Sequence, residues 1–310
     1  MMIMRLQRWL LRKGILRKNQ WFFKSEPSSF HVLSELGFPC PTCETPATHQ
    51  SDYPSRARLF ARCNVLFCTH CGCGFVIEMR EALEQYYTNE YAKSNRLDRE
   101  IEPAAYFESL CRGNNVSIAK YDARVQRQID LLCRFGGKFG SVLDYGSGPG
   151  YFLYRCGAKI LHAVEPDMAS HKYLKYLKAV IHADAQSLPK ATFDTIVASH
   201  ALEHLPAETL HSVVTSLFDA LAPGGTLLIE VPQGGHSHLH LAGERQEPHT
   251  IFFTGQSLVE VVRRAGGKIL FQQALGRVES PRREAPIYTP SGPPFFRTAK
   301  GSLTVVCTTS

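Results

Sequence analysis

The sequence predicts an α/β protein, with a doubly wound, mostly parallel sheet and a small cysteine-rich module ahead of it. Short apolar runs alternate with helical stretches over residues 140–310, which is the rhythm of such a sheet. A glycine-rich turn follows the first of these runs. Six of the ten cysteines lie within residues 39–78 among proline, glycine and threonine, which is the composition of a loop-rich metal module.

Seven apolar runs are candidate strands. The first five alternate with predicted helices and should therefore be parallel. The last two are joined by about thirty residues without a long helical pattern, so a closing antiparallel pair fits better than another crossover. The candidate strands are Ser141–Tyr145, Ile160–Glu165, Ala179–His182, Thr195–Ser199, Thr226–Val231, Lys268–Gln272 and Leu303–Cys307.

The predicted organisation has four parts. Residues 1–38 form a basic arm and a linker, and residues 39–78 form the cysteine module. Residues 79–139 form a helical region, in which Met79–Tyr91 and Ser117–Phe135 carry apolar residues at helical spacing. Residues 140–310 form the sheet domain.

The formal net charge of +7 lies in the arm. Residues 1–24 hold seven of the 35 lysines and arginines and no acid, so the remaining 28 bases balance the 28 acids. Nucleic acid is therefore not the expected partner of the body. Bases interrupt the apolar residues of the arm, so it lacks the continuous apolar run of a signal peptide. It is interpreted as a frayed basic helix or a disordered end, and the alternative is a segment that lies on a membrane surface or on a partner protein. The expected location is the cytoplasm.

The first candidate strand runs into a glycine-rich turn over residues 144–150, DYGSGPG. Glycine is needed where a ligand approaches the backbone at the place of a Cβ atom. Dinucleotide-binding turns favour G-x-G-x-x-G, but Tyr151 stands at the third glycine position, and no lysine follows as a phosphate loop requires. The spacing is G-x-G-x-G, with Asp144 two residues ahead of the first glycine.

Acids also follow the next two candidate strands. Glu165 ends the second strand, and Asp184 follows the third. Ligands in doubly wound sheets bind at the carboxyl ends of the strands, where carboxylates accept hydrogen bonds from a nucleoside. Either acid alone is explained equally well as a helix N-cap. Three acids at successive strand ends favour a nucleoside site.

Together these motifs resemble the class I S-adenosylmethionine-dependent methyltransferases. Residues 199–205 are close to the H-x-L-E-H-L of many small-molecule members, and residues 221–225 match the family's turn into its fifth strand. The resemblance covers residues 141–231 and implies a Rossmann-like, seven-stranded sheet with S-adenosylmethionine as cofactor. By the same resemblance, the methionine part of the cofactor is bound by Asp144, Gly146, Gly148 and Gly150. Its ribose is bound by Glu165, and its adenine by Asp184.

Two histidines are candidate general bases for a hydroxyl or amine acceptor. His200 follows the fourth candidate strand, and His249 lies in a segment that resembles a histidine-plus-aromatic segment of the family. Thr254 is the predicted N-cap of a helix over Ser257–Ala265. Three histidines at alternating positions after the fifth strand are interpreted as surface or substrate-contacting residues: His236, His238 and His240.

Two C-x-x-C pairs, 24 residues apart, predict a zinc-ribbon-like module. Each tight turn presents two thiolates to one tetrahedral Zn²⁺, and four protein ligands leave no open position for a substrate, so the zinc is expected to be structural. The predicted ligands are Cys40, Cys43, Cys68 and Cys71, with Cys63, His70 and Cys73 as nearby substitutes.

A zinc module, a tyrosine-rich segment and a methyltransferase domain in this order are similar to bacterial enzymes that methylate sugars and related metabolites. The resemblance implies a small-molecule acceptor and places Tyr87 and Tyr91 near the active site; the alternative for these two tyrosines is packing against the sheet. The alternative is an RNA methyltransferase whose zinc module recognises the substrate. Against it stand the neutral body and the run Ser199–Leu202, where many amino-group methylating enzymes have an Asn-Pro-Pro-Tyr-like sequence.

Overall fold

The computed structural model describes residues 31–33, 37–53, 60, 63–77, 81, 83, 86, 101–112, 116–234, 248–276 and 301–309. The strands are β1 (His31–Val32), β2 (His49–Asp52), β3 (Asn64–Phe67), β4 (Gly74–Val76), β5 (Ser141–Tyr145), β6 (Ile160–Val164), β7 (Val180–His182), β8 (Phe193–Ser199), β9 (Leu221–Pro232), β10 (Ile251–Phe252), β11 (Gly267–Gly276) and β12 (Gly301–Thr309). The helices are α1 (Pro103–Arg112), α2 (Val116–Arg134), α3 (Tyr151–Cys156), α4 (His171–Tyr176), α5 (Leu210–Ala220) and α6 (Gly255–Arg264).

Seven strands form the main sheet in the order β11-β12-β9-β8-β5-β6-β7. Strands β5 to β9 pair in parallel, whereas β12 pairs antiparallel with both β9 and β11. The predicted fold class, a Rossmann-like seven-stranded α/β sheet, is confirmed. The order places β5, β6 and β7 side by side, so that their carboxyl ends form one edge.

The strands differ from their predicted bounds mainly in length. Strand β9 begins at Leu221 rather than at Thr226, because the turn-like residues before Thr226 already pair with Phe193 of β8. Strands β11 and β12 extend beyond their apolar centres, since nine residue pairs hold this antiparallel ladder through polar positions as well. Backbone hydrogen bonds do not depend on side-chain polarity, so hydropathy underestimates such strands.

The main sheet is buried on both faces, as its continuous apolar runs require. Neighbouring residues of one strand enter opposite halves of the core: Ile196 packs with Leu217 of α5, whereas Val197 packs with Leu132 of α2. All four side chains are fully buried. The parallel strands are therefore held rigidly, and the residues that follow their carboxyl ends start from fixed positions.

The cysteine-rich part belongs to a second sheet, with the order β1-β2-β3-β4-β10. Its outer face covers a small aromatic core that includes Tyr53, Phe60 and Phe252. Strands β1 and β10 lie outside residues 39–78, and β10 follows β9 in the chain. The sheet therefore takes one strand from the sheet domain, and the two parts of the chain are joined by backbone pairing.

Helix α2 agrees with the predicted Ser117–Phe135 to within one residue at each end, and α6 begins after Thr254, the predicted N-cap. Within the described residues, no helix combines the length and the hydropathy that a membrane crossing needs. The basic residues 1–24, Tyr87 and Tyr91, and the histidines 236, 238 and 240 lie outside the described part of the chain.

Candidate active site

The glycine-rich turn connects β5 to α3 with three left-handed glycines. Their φ angles are 73° at Gly146, 52° at Gly148 and 85° at Gly150, a region that side chains disfavour. A Cβ atom at Gly146 would stand 2.5 Å from the Cβ of Ala201, whereas a Cβ at Gly148 would meet nothing within 4 Å. Gly146 is thus required by packing, and Gly148 faces open space into which a ligand fits.

The three predicted carboxylates follow neighbouring strands. Asp144 pairs with Ala163, so that Glu165 emerges next to the glycine-rich turn, and Val164 pairs with His182 two residues before Asp184. The backbone N–H of Gly146 also donates to the carbonyl of Val164 (2.8 Å). We name this edge, with Asp144, the turn, Glu165 and Asp184, the carboxylate edge.

Glu165 closes the turn from the side of β6. Its carboxylate accepts hydrogen bonds from the backbone N–H groups of Gly148 (2.6 Å) and Asp167 (2.7 Å). Burial raises the pKa of Glu165, and the two N–H donors oppose that shift. A carboxylate held in this way has a fixed direction and is suited to accept further hydrogen bonds from hydroxyl groups.

Asp144 is the most buried of the three acids, with 4% of its surface exposed. Burial, and then the nearby negative charge of Glu165, raise its pKa to about 8. A cationic ligand at this edge would offset the negative charge of Glu165 and so favour the ionised form of Asp144. Two buried acids close together therefore mark a place that suits a positive charge.

Asp184 is exposed and organises a turn. Its carboxylate accepts a hydrogen bond from the backbone N–H of Ser187 (2.8 Å), and the hydroxyl of Ser187 donates to the carbonyl of Asp184 (2.8 Å). Local capping, the alternative that its sequence position left open, is therefore present. The negative charge of Asp184 still acts on the carboxylate edge. Burial, and then this charge, raise the pKa of Tyr145 to about 12.

His200 lies between two buried glutamates at the end of β8. Its Nδ1 is 3.4 Å from Oε1 of Glu203, and its Nε2 is 3.8 Å from Oε1 of Glu230. The residue has a φ of 55°, a conformation that is strained for a side chain of this size. Burial opposes the charged imidazole, but the two neighbouring carboxylates outweigh it and raise the pKa of His200 to about 9.

The two glutamates are held ionised by the same contacts. Burial opposes their charge, yet His200 lowers the pKa of each to about 2, with help from Arg127 at Glu230. Arg127 donates to both oxygens of Glu230 (2.7 and 2.8 Å), and Gln128 bridges Glu230 to Ser199 (3.0 and 2.8 Å). At neutral pH His200 is therefore an imidazolium ion in this arrangement.

His249 approaches the same group from the segment after β9. Its ring makes an edge contact with the ring of His204, with centroids 5.0 Å apart. Metal-binding atoms of Glu203, His204 and His249 all lie within 4.8 Å of one another, and the carboxylate of Glu203 accepts no hydrogen bond from the described residues. We call His200, Glu203, His204, Glu230 and His249 the histidine–glutamate cluster.

Sequence reasoning missed Arg127, Gln128 and Glu230. The first two lie on α2, about seventy to a hundred residues from their partners. One signal for Glu230 is present in the sequence, because a carboxylate interrupts an otherwise apolar strand and must find a partner there. Nothing local indicates that the partner is Arg127.

The four predicted zinc ligands converge. The Sγ–Sγ distances are 3.6 Å for Cys40–Cys71 and 3.5 Å for both Cys43–Cys68 and Cys43–Cys71. Four thiolates about 2.3 Å from a tetrahedral Zn²⁺ would stand about 3.8 Å apart, so the set fits the ion with only a slight expansion. The substitutes Cys63, His70 and Cys73 are not members of the group. The hydroxyl of Thr42 adds contacts to two of the thiols.

A cavity of about 560 Å³ lies between the second sheet and the start of α5. Apolar residues such as Phe38, Phe75 and Leu83 line most of it, and His211 and Glu208 supply polar groups. Neither the carboxylate edge nor the histidine–glutamate cluster lines this cavity. It is separate from the candidate active site.

The chain matches the model of a protein family described as a methyltransferase domain over residues 117–271, which is half of its length. The match covers α2, the parallel strands, the carboxylate edge and the histidine–glutamate cluster. No curated protein matches the chain.

The chain is also similar, at low identity, to several solved structures. One is the 1,6-didemethyltoxoflavin-N1-methyltransferase of Burkholderia thailandensis (17% identity, 81% of this chain and 97% of that chain, TM-score 0.44). Another is an S-adenosylmethionine-dependent methyltransferase of Clostridium acetobutylicum (11% identity, 67% and 97%, TM-score 0.44). A third is the [4+2]-cyclase SpnF (21% identity, 48% and 58%, TM-score 0.39), of which the chain spans little more than half.

Proposed function

Because the chain belongs to the methyltransferase domain family of class I S-adenosylmethionine-dependent enzymes, we propose that it methylates a small molecule such as a sugar, a glycan precursor or a secondary metabolite. The acceptor class is supported by the charge distribution, since the body outside residues 1–24 is formally neutral. A phosphate backbone would be expected to meet a basic surface instead. A neutral acceptor and a cytoplasmic location fit the same composition.

The observation that carries the proposal is the carboxylate edge. Asp144, Gly146, Gly148 and Gly150 are proposed to hold the methionine part of the cofactor, Glu165 the ribose hydroxyls, and Asp184 the adenine amino group. The open space at Gly148 and the fixed carboxylate of Glu165 support this assignment. The raised pKa of Asp144 supports a cationic ligand, because the α-ammonium group of the cofactor's methionine part, which S-adenosylhomocysteine also carries, would stabilise its carboxylate.

His200 or His249 is proposed as the general base. When bound, S-adenosylmethionine would supply an activated methyl group to the acceptor oxygen or nitrogen, and the base would take the proton that the acceptor loses. His200 must first lose its own proton, because the two glutamates hold its pKa at about 9. His249, whose ring contacts that of His204, is the second candidate. A rise in turnover between pH 7 and 9 would support His200.

Zinc at Cys40, Cys43, Cys68 and Cys71 is proposed as a structural ion. When bound, it would supply a cross-link between the two knuckles and no open coordination position. The thiol distances support this role. The chain's own residues, and not the zinc, would then meet the acceptor.

Calorimetric titration with S-adenosylhomocysteine tests the proposal. We expect one site per chain in the wild-type protein and at least ~10-fold weaker binding after Asp144→Asn, since a buried charge–ligand contact is lost. Asp219→Asn is the matched control, because Asp219 is exposed on α5 and pairs only with Lys190. No binding by the folded wild-type protein would refute the proposal. Titration of the protein, saturated with S-adenosylhomocysteine, with RNA at two salt concentrations tests the RNA alternative, because binding to a phosphate backbone weakens as the salt concentration rises.

A further inference from the structure

The segment after β9 joins the cysteine site to the histidine–glutamate cluster. We call residues 248–254 the connecting segment. On the cysteine side, β10 pairs with Gly74 and Phe75 of β4, and the N–H of Val76 donates to the carbonyl of Thr250 (2.9 Å). The hydroxyl of Tyr53 donates to the carbonyl of His249 (2.9 Å). The backbone of His249 is thus held by the second sheet.

On its other side the connecting segment is bound to the loop that carries Glu203. The N–H and the hydroxyl of Thr250 donate to the carbonyl of Glu203 (2.8 and 3.0 Å), and the hydroxyl also contacts the carbonyl of Leu205. Thr250 is almost fully buried. Any displacement of the connecting segment would therefore move Glu203 as well as His249.

The segment ends at Thr254, which has two partners. Its hydroxyl donates to the carbonyl of Cys71 (2.5 Å) and accepts from the N–H of Ser257 (3.1 Å), where α6 begins. The contact is close: a Cβ atom at Gly72 would stand 3.0 Å from Cγ2 of Thr254. Arg264, at the other end of α6, donates to the carbonyl of Thr42 in the first knuckle (3.0 Å). One helix thus binds both knuckles.

We propose that Thr254 is a positioning residue, through which a metal-loaded cysteine site fixes the connecting segment and hence His249 and Glu203. Metal binding would hold the carbonyl of Cys71 in place, and Thr254 would transmit that position to the connecting segment. The proposal rests on the proposed structural zinc and on the proposed acceptor side. The hydroxyl is needed as a donor to Cys71, a role distinct from its role as a helix cap.

Hydrogen exchange of the full chain tests the proposal without an acceptor. We expect removal of zinc by a chelator to accelerate exchange at the amides of Val76 and Thr250 by about ten-fold or more, the effect of losing one to two hydrogen bonds. Amides of β5 and β8 should keep their protection. Equal acceleration throughout the sheet would show general destabilisation and overturn the proposal, as would unchanged exchange at Val76 and Thr250.

Substitutions separate the two roles of Thr254. Thr254→Val removes the donor to Cys71 and should weaken zinc binding in a chelator competition by about ten-fold. Ser257→Ala is the matched control, because it alters the capping box without touching the knuckle, and it should change zinc affinity by less than about two-fold. Thr254→Ser restores the hydroxyl and should restore the affinity. Equal losses of zinc affinity in Thr254→Val and Ser257→Ala would show that Thr254 acts only as a helix cap and would overturn the proposal.

The failures of the two proposals are distinguishable. If the purified protein contains no zinc and takes up none when zinc is added, the structural-zinc proposal fails and the coupling through Thr254 is overturned with it. If S-adenosylhomocysteine binds normally to the zinc-loaded Thr254→Val protein, the cofactor assignment stands independently of the coupling. We expect that binding to be unchanged, because the hydroxyl of Thr254 bonds to Cys71 and to the start of α6 rather than to the carboxylate edge.

Discussion

The carboxylate edge and the histidine–glutamate cluster lie at neighbouring strand ends of one sheet but are built differently. At the carboxylate edge, Asp144, Glu165 and Asp184 each follow their own strand, and the three strands are consecutive in the chain. The cluster takes His200 and Glu203 from the end of β8, Glu230 from β9 and His249 from the connecting segment, and it depends on Arg127 of α2. The first is a series of local strand-and-turn units, whereas the second exists only after distant elements have packed.

This difference predicts that the cluster is the more costly region to disturb. Glu230→Gln should lower the free energy of unfolding by about 3 kcal/mol, because it removes the carboxylate that pairs with Arg127 and leaves His200 with Glu203 alone. Urea unfolding measures the loss. Asp219→Asn, which breaks only the exposed pair with Lys190, should cost less than about 1 kcal/mol. Similar costs for the two variants would contradict the buried network.

The glycine-rich turn offers a sharper test within the carboxylate edge. Gly146→Ala forces a Cβ atom against Ala201 and should destabilise the fold by about 1–3 kcal/mol. Gly148→Ala adds its Cβ atom to open space, so its cost is mainly the left-handed φ, while cofactor affinity should fall by at least about ten-fold. Thermal unfolding measures the loss of stability, and calorimetric titration measures the loss of cofactor affinity. Normal cofactor binding by Gly148→Ala would mean that the ligand does not approach the turn.

The charge state of the cluster predicts a stability that falls with rising pH. His200 has a folded pKa of about 9, above its unfolded value near 6.5, so its contribution is complete below about pH 6.5 and lost as the pH rises through 9. Asp144, with its pKa raised to about 8, acts in the same direction. We expect His200→Gln to remove about 1–2 kcal/mol of the difference between pH 6.5 and 9. An unchanged pH dependence in the variant would show that His200 is not held as an imidazolium.

Glu203 and Glu230 have the opposite effect, because their contribution to stability is lost as the pH falls. Their folded pKa values, lowered to about 2, lie below the unfolded value near 4.3. Their contribution is therefore present above about pH 4.3 and is lost as the pH falls toward 2. Acid unfolding followed by circular dichroism should begin at a higher pH in Glu203→Gln than in the wild-type protein. Identical acid transitions would argue against an ionised Glu203.

The sequence predicted the parts of the molecule whose signals are local. The runs around Ile196 and Leu228 alternate with helices and identify the parallel strands, and the spacing G-x-G-x-G identifies the turn. The capping residue Thr254 was predicted correctly because a helix start is specified within a few residues. The cysteine pairs were predicted to converge, since C-x-x-C spacing brings each pair together on its own.

The missed features all depend on tertiary packing. Glu230 gains Arg127 only when α2 crosses the end of β9, and β10 joins the second sheet only when residues 251–252 meet β4. His200 was predicted as a base from its position. Glu203 follows it by three residues, but Glu230, its second carboxylate neighbour, reaches it only through the pairing of β8 with β9.

The most direct test of the central claim is a crystal structure with S-adenosylhomocysteine bound. The ligand should lie across the ends of β5, β6 and β7, with its homocysteine part over Gly148, its ribose hydroxyls hydrogen-bonded to Glu165, and its adenine beside Asp184. A ligand bound elsewhere, or ribose hydroxyls held by residues other than Glu165, would contradict the assignment of this edge.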